Sequence, residues 1–159
     1  MTTKYESADL ILKLYDLRRE EKLRQAREWF LTAFHPESAQ EVLDVWSGPA
    51  SAPYRMVTTY WNMAASLVNN GAIDPKMFAD ANTEHFTVFA KLQPFLAEVR
   101  AQRQNPGYLR NLERLILDDP NAEQRLAATR RFLEARKAQA DARRPAKGTA
   151  KAARHSEER

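Results

Sequence analysis

Residues 60–74 read YWNMAASLVNNGAID, and this stretch determines which fold class the sequence predicts. In its first half, apolar residues recur every three or four positions, which is the spacing of one face of an α-helix. Asn70-Gly71 then supplies a helix stop, because glycine readily adopts the left-handed conformation that ends many helices. Asp74 before Pro75 supplies the next start, since aspartate caps helices and proline is tolerated at the first helical position. We therefore interpret the stretch as a buried helix, its end and the start of another helix, in preference to the wall of a binding pocket.

Composition supports a helical protein of ordinary domain size. The chain has 159 residues, 43% hydrophobic and 29% charged, with only four glycines, and this mixture favours helix over sheet. It has no cysteine, which excludes a disulfide framework, a thiolate nucleophile and a cysteine-based zinc site. No segment has the pattern of a signal peptide or a membrane span. The sequence thus predicts a soluble, cytoplasmic protein.

Helical spacing and stop signals recur along the whole chain and predict an all-α, single-domain bundle of six or seven mostly antiparallel helices. No run with the period-2 alternation of a strand is long enough to compete. The predicted helices cover approximately residues 7–34, 38–47, 53–70, 75–81, 83–104, 108–117 and 122–133.

Some of these helices carry more specific expectations. Ser7 and Asp9 are predicted to cap the first helix. Pro94 is expected to kink the fifth helix, or else to break it at Gln93, because proline removes a hydrogen bond to the carbonyl four residues earlier. The residues predicted to face the core include Leu10, Leu14 and Leu17 in the first helix, Trp61 in the third, and Leu126, Phe132 and Leu133 in the last.

The net charge is concentrated at the C-terminal end. Residues 134–159 contain eight basic and four acidic residues, and their net charge of +4 equals that of the whole chain. No large apolar residue follows Leu133, so we divide the chain into an all-α domain, residues 1–133, and a basic tail, residues 134–159, expected to be a helix extension followed by disorder. The side chains predicted to contact anions are Arg143, Arg144, Lys147, Lys151 and Arg154.

Three segments together resemble a known family: WNMAASLVNNGAIDPKMF, FAKLQPFLAEVR and NPGYLRNLERLI. In their spacing of apolar and helix-stop positions, over roughly residues 5–117, they are similar to small bacterial helical proteins of the domain-of-unknown-function 4760 family. Phe89 and Pro94-Phe95 stand where that family has an aromatic residue followed by charged residues and Pro-Phe. The resemblance implies a helical bundle and no known reaction, cofactor or catalytic residue.

No motif indicates catalysis. His85 lies on an apolar helix face without an acidic residue three or four positions away, so we expect a structural histidine and no metal. Glu37, Glu41 and Asp44 share one face of the second helix, where acids near a helix start are explained by the helix dipole. We therefore predict no catalytic, cofactor-binding or metal-binding residue.

Two non-enzymatic functions remain. The first is a helical interaction or regulatory module that binds a protein partner or itself, with Trp46 and Tyr54, beside the Pro-rich loop 47–53, as the aromatic residues expected to be exposed. The second is weak, sequence-nonspecific nucleic-acid association through the basic tail, which has cations for phosphate contact but no aromatic residue for base stacking. The interaction module is the preferred function.

Overall fold

A computed structural model describes residues 2–143, which form nine α-helices and one short 3₁₀ turn. The all-α prediction is confirmed, and no strand occurs in this part of the chain. The helices are α1 Lys4–Arg19, α2 Glu21–Thr32, α3 Ala39–Ser47, α4 Ser51–Asn69, α5 Pro75–Ala81, α6 Glu84–Leu92, α7 Leu96–Gln102, α8 Arg110–Leu117 and α9 Ala122–Arg143, and the 3₁₀ turn spans Gln93–Phe95.

Helix α4 is the centre of the bundle. It contacts α2, α3, α6 and α8, and one whole face of it is buried. Tyr54, near its start, packs against Phe34 at a ring distance of 5.6 Å. Trp61 lies about two turns later, beside Arg27, and both residues donate to Glu84. Contacts that run in opposite directions along the two helices show that α2 and α4 are antiparallel. Trp61 is 1% exposed, so its prediction as a core residue is confirmed.

The end of α4 follows the sequence signal closely. Gly71 has a φ of +73°, and its N–H donates to Val68 O at 2.9 Å while Ala72 N–H donates to Leu67 O at 2.9 Å. This pair of bonds is the Schellman arrangement, in which a left-handed residue lets the chain satisfy the last carbonyls of the helix. The Asp74 carboxylate then accepts from Met77 N–H at 2.8 Å and starts α5 with Pro75 as its first residue, as predicted.

The first predicted helix is wrong in two respects. It is capped by Thr3, whose hydroxyl and backbone form a reciprocal pair with Glu6, and not by Ser7 or Asp9. It also divides into α1 and α2 at Glu20, where the backbone turns extended (ψ 135°) and the carboxylate accepts from Leu23 N–H at 2.9 Å. The Glu20 side chain thus acts as the N-cap of α2 and satisfies one of the N–H groups that the start of a helix leaves unpaired.

The fifth predicted helix is broken at Pro94. Helix α6 ends at Leu92, the 3₁₀ turn follows, and α7 begins at Leu96. Of the two alternatives, a kink and a break, the structure has the break. Proline has no N–H to donate to the Ala90 carbonyl, and the more tightly wound 3₁₀ turn accommodates the missing hydrogen bond. The sixth predicted helix also begins later than expected, at Arg110, because Leu109 adopts a left-handed conformation with φ 55°.

Two residues predicted to be in the core are on the surface. Leu17 is 51% exposed and Phe132 is 56% exposed. Leu17 precedes the end of α1 by two residues, where α2 has already turned away, and Phe132 lies on the outer side of α9 while Leu126 faces the bundle. Helical spacing identified the apolar stripe of each helix, but it did not show where along the stripe the neighbouring helix stops covering it.

Helix α9 extends past the predicted domain boundary after Leu133 and continues to Arg143. The remaining tail, residues 144–159, lies outside the described residues. Within the described part of the chain, no helix is both long and apolar enough to cross a membrane.

Substitution of Trp61 by alanine should lower the free energy of unfolding by about 3–5 kcal/mol, since it removes a large buried aromatic side chain. The matched control is Phe132→Ala, which trims an exposed ring and should change stability by at most about 0.5 kcal/mol. Urea unfolding followed by circular dichroism compares the two variants with the unsubstituted protein. Equal losses in both would contradict the placement of Trp61 at the centre of the core.

Candidate functional site

The aromatic residues predicted for an interaction surface lie together but are mostly covered. Tyr54 is fully buried, and its hydroxyl lies 2.6 Å from the Tyr108 hydroxyl. The prediction that Tyr54 is exposed is therefore wrong. Trp46 is partly buried, packs edge-on against both tyrosines, and is covered by the Arg103 guanidinium at 3.3 Å from its ring centroid. This cluster is an aromatic extension of the core, capped by one arginine.

A partly buried polar cluster joins α1, α2, α4 and α6 at Glu84. The Arg27 guanidinium grips this carboxylate with three hydrogen bonds of 2.6–3.1 Å, and Trp61 Nε1 donates to it at 3.1 Å. Arg18 lies 3.6 Å from the same carboxylate and donates to the Asn82 side-chain oxygen at 3.3 Å. Every charged member of the cluster has a partner within the chain. The cluster therefore serves to position helices.

His85 occupies an apolar cage beside this cluster. It is 3% exposed, and the rings of Trp61, Phe78 and Phe86 surround it at 5.0–5.6 Å. Burial lowers the pKa of His85 to about 4, and the nearby Arg125 guanidinium acts in the same direction. The imidazole is therefore neutral at physiological pH. Among residues 2–143 no group of three or more His, Asp or Glu residues could hold a metal ion.

Lys91 of α6, which the sequence analysis did not single out, is buried against the C-terminal end of α2. Its ammonium donates to the carbonyls of Phe30, Leu31 and Phe34 at 2.7–3.1 Å. A cation at a helix C-terminus is favoured by the helix dipole, and here it also satisfies carbonyls that the helix leaves unpaired. Burial lowers the pKa of Lys91 to about 8, so the ammonium form still predominates at neutral pH.

An open depression of about 310 Å³ lies between the end of α2 and α3, and we call it the α2–α3 depression. Its lining residues are Ala33, Phe34, His35, Pro36, Glu41, Asp44 and Val45. The His35 Nε2 donates to Thr32 O at 3.0 Å, which leaves Nδ1 facing the Lys91 ammonium at 3.5 Å. Burial and the Lys91 charge lower the pKa of His35, so the rim of the depression has two exposed carboxylates and a neutral imidazole. The structure thus brings Glu41 and Asp44, grouped by the sequence analysis, to one surface.

The outer face of α1 is a second unexplained surface. Tyr5 is 84% exposed, Leu12 63% and Tyr15 54%, although all three are large and apolar. The opposite side of the same helix holds buried Ser7, which accepts from Asp74 N–H, and buried Leu14, whose carbonyl accepts from the Tyr60 hydroxyl. We call Tyr5, Ala8, Leu12 and Tyr15 the α1 outer stripe. The sequence analysis missed this stripe because it assigned only one apolar face to each helix. The helical spacing of positions 5, 8, 12 and 15 is the signal that indicates a second face.

The predicted anion-contacting residues are only partly described. Arg143 is exposed at the last described position of α9. Arg144, Lys147, Lys151 and Arg154 lie outside the described residues. Earlier in α9, Lys137 forms an ion pair with Glu37, next to the α2–α3 depression.

These features define an all-α bundle whose notable surfaces are an apolar helix face and an acid-rimmed depression. Its family is known: a family model described as Domain of unknown function (DUF4760) matches residues 5–118. The chain belongs to that family, which confirms the resemblance found in the sequence. No curated protein and no solved structure matches the chain.

Acidification should destabilise the protein through His85. Its folded pKa of about 4 lies below its ordinary value of 6.5, so the unfolded chain binds more protons between these values and stability falls as pH drops from 6.5 to 4. The full effect is about 3 kcal/mol. Thermal melts of the protein and of His85→Phe from pH 7 to pH 4 test this, because phenylalanine keeps the ring packing without titrating. A steeper acid loss in the original protein is expected, and identical pH profiles would contradict it.

Proposed function

We propose that the protein is a non-catalytic interaction module that pairs with a second copy of the same chain through the α1 outer stripe. The observation that carries the proposal is the exposure of Tyr5, Leu12 and Tyr15 on a helix whose other face is already buried. Apolar residues on two sides of a helix are typical of a helix that has other protein elements packed on both sides. In the described part of the chain only one side of α1 is covered, mainly by α2 and α5 and also by Tyr60 of α4.

The spacing of the stripe suits a helix–helix seam. Positions 5, 8, 12 and 15 alternate steps of three and four residues, which are the a and d positions of a heptad repeat. Ala8 is small and permits close approach of a partner helix. The seam ends at Arg19, whose guanidinium lies 5.9 Å from the Tyr15 ring.

Charges beside the stripe favour a parallel pair of α1 helices. In a parallel pair, Lys4 at a g position meets Asp9 at an e position of the second copy. In an antiparallel pair the e positions of the two copies face each other, so Asp9 and Asp16 would meet carboxylates of the second copy. Helix α1 is about 24 Å long, and its stripe is smaller than the ~800 Å² per partner of a standard interface. We therefore expect a weak dimer, with a dissociation constant on the order of 10–100 µM.

Leu12→Glu should abolish the dimer, because it places a carboxylate in the apolar seam beside Asp9 and Asp16. The matched control is Leu117→Glu, which changes a residue of similar exposure (53% against 63%) on α8. Light scattering after size exclusion, over protein concentrations that bracket about 10–100 µM, reports the mass relative to the 18.3 kDa monomer. We expect dimer in the original protein and in Leu117→Glu, and monomer in Leu12→Glu.

A monomer at every concentration would overturn pairing with a second copy. Equal loss of the dimer in both variants would show general surface adhesion instead of the α1 seam. Circular dichroism melts of all three proteins provide the folding control, since both changes are at exposed positions and should leave stability within about 0.5 kcal/mol.

The alternative function is weak, sequence-nonspecific nucleic-acid association through the basic tail, supported by the concentration of the net charge in residues 134–159. Both proposals place the protein in the cytoplasm, in keeping with the lack of cysteine. If four phosphates are neutralised, log K should fall with log salt at a slope of about −3.6, or about 150-fold from 50 to 200 mM.

Fluorescence anisotropy with a labelled duplex of arbitrary sequence measures this slope. A variant with Arg143, Arg144, Lys147, Lys151 and Arg154 changed to glutamine should bind far more weakly, because those five side chains are the predicted anion contacts. Binding that is equally strong in this variant, or absent at 50 mM salt, would exclude the tail as a nucleic-acid contact.

A further inference from the structure

The α2–α3 depression combines an apolar floor with an acidic rim. Phe34, Val45 and Pro36 contribute apolar lining, and the carboxylates of Glu41 and Asp44 stand exposed at its edge. Glu41 accepts a hydrogen bond from Glu37 N–H, and Asp44 accepts one from Gln40, so both are engaged only by neutral groups of the same loop and helix. His35 adds no positive charge, because burial and the Lys91 ammonium lower its pKa. This surface fits a basic chain segment with small side chains.

Helix α9 brings such a segment to the depression. Lys137 of α9 already forms an ion pair with Glu37 at the start of the same acidic edge. The electrostatic field of Glu41 also reaches Lys137 and contributes to raising its pKa, after the larger effect of Glu37, and the fields of Lys137 and Asp141 reach His35. The last turns of α9 therefore run alongside the depression.

We propose that the basic segment 144–159 of the same chain folds back onto the α2–α3 depression and covers its acidic rim. The segment carries five basic and two acidic residues, so its charge is opposite to that of the rim. Its small uncharged residues, half of them alanine, suit a shallow apolar floor. The proposal concerns a different face from the α1 outer stripe and does not depend on the dimer.

The distances permit this contact. From Lys137 to Arg143, α9 advances about 9 Å along its axis. The next 16 residues can span up to about 50 Å when extended, more than five times the length that α9 advances beyond Lys137. Because the tail is joined to α9, the contact is intramolecular, and a weak electrostatic attraction can hold it at a high effective concentration.

The chain lacks cysteine, so Ala150→Cys gives a single attachment point for a nitroxide spin label in the full-length protein. Paramagnetic broadening of backbone amide signals then reports which surface the segment visits. At about 20 mM salt we expect the amides of residues 41–45 to lose more than about half their intensity, and those around Asp80 in α5 to lose little. At about 500 mM salt, where the Debye length is only a few ångströms, the α3 signals should recover.

Charge removal at the rim gives the decisive comparison. Glu41→Gln with Asp44→Asn should restore the α3 signals at low salt, whereas the matched control, Asp80→Asn with Glu123→Gln, removes two exposed acids elsewhere and should not. Absence of broadening in α3, or broadening unchanged by the rim substitutions, would overturn the proposal. A mixture of isotope-labelled chain without the nitroxide and unlabelled chain with the nitroxide distinguishes two sources of broadening: contact within one chain and contact between two chains. Broadening in that mixture would mean that the segment docks on a second copy, which also contradicts the intramolecular contact.

Discussion

The arrangement of the helices depends on one largely buried carboxylate, which is 10% exposed. Glu84 at the start of α6 holds Arg27 of α2, Trp61 of α4 and, at a longer distance, Arg18 of α1. A buried ion pair gains little net stability when its desolvation is counted, but removal of one partner leaves an uncompensated charge and is costly. Loss of any one partner of Glu84 would therefore leave a charge uncompensated at the point where four helices meet.

The break between α1 and α2 follows from the same interaction. Arg18 and Arg27 can both point to Glu84 only if the chain turns between them, and the turn occurs at Glu20. Arg27 also donates to the Arg18 carbonyl, so it closes the end of α1 as it binds Glu84. This geometry fixes the rotation of α1 about its own axis, with Ser7 and Leu14 inward and Leu12 and Tyr15 outward. Exposure of the apolar stripe is therefore a consequence of how the polar cluster is built.

Local signals were predicted well at the junction of α4 and α5, although the local Thr3–Glu6 cap of α1 was missed, and the tertiary interactions were not predicted. The end of α4 at Gly71 and the start of α5 at Asp74 depend on residues within one turn, and both are as expected. The division at Glu20 depends on Arg27 and Glu84, which are 57 residues apart, and no helical period reveals such a pair. The same limit explains Tyr54: its place beside a Pro-rich loop suggested exposure, but its hydroxyl is sealed in the core by Tyr108.

The middle and the C-terminal end of α2 are both held by charges from α6, and this explains why the α2–α3 depression is preformed. Glu84 binds Arg27 at the middle of α2, and Lys91, two turns later in α6, binds the carbonyls at the end of α2. All three ammonium protons have carbonyl acceptors, so Phe34 and the chain that follows it are held in one geometry. His35 is fixed in turn between Thr32 and Lys91. One wall of the depression is therefore rigid because a lysine is buried behind it, and a segment that docks there meets a surface already in shape.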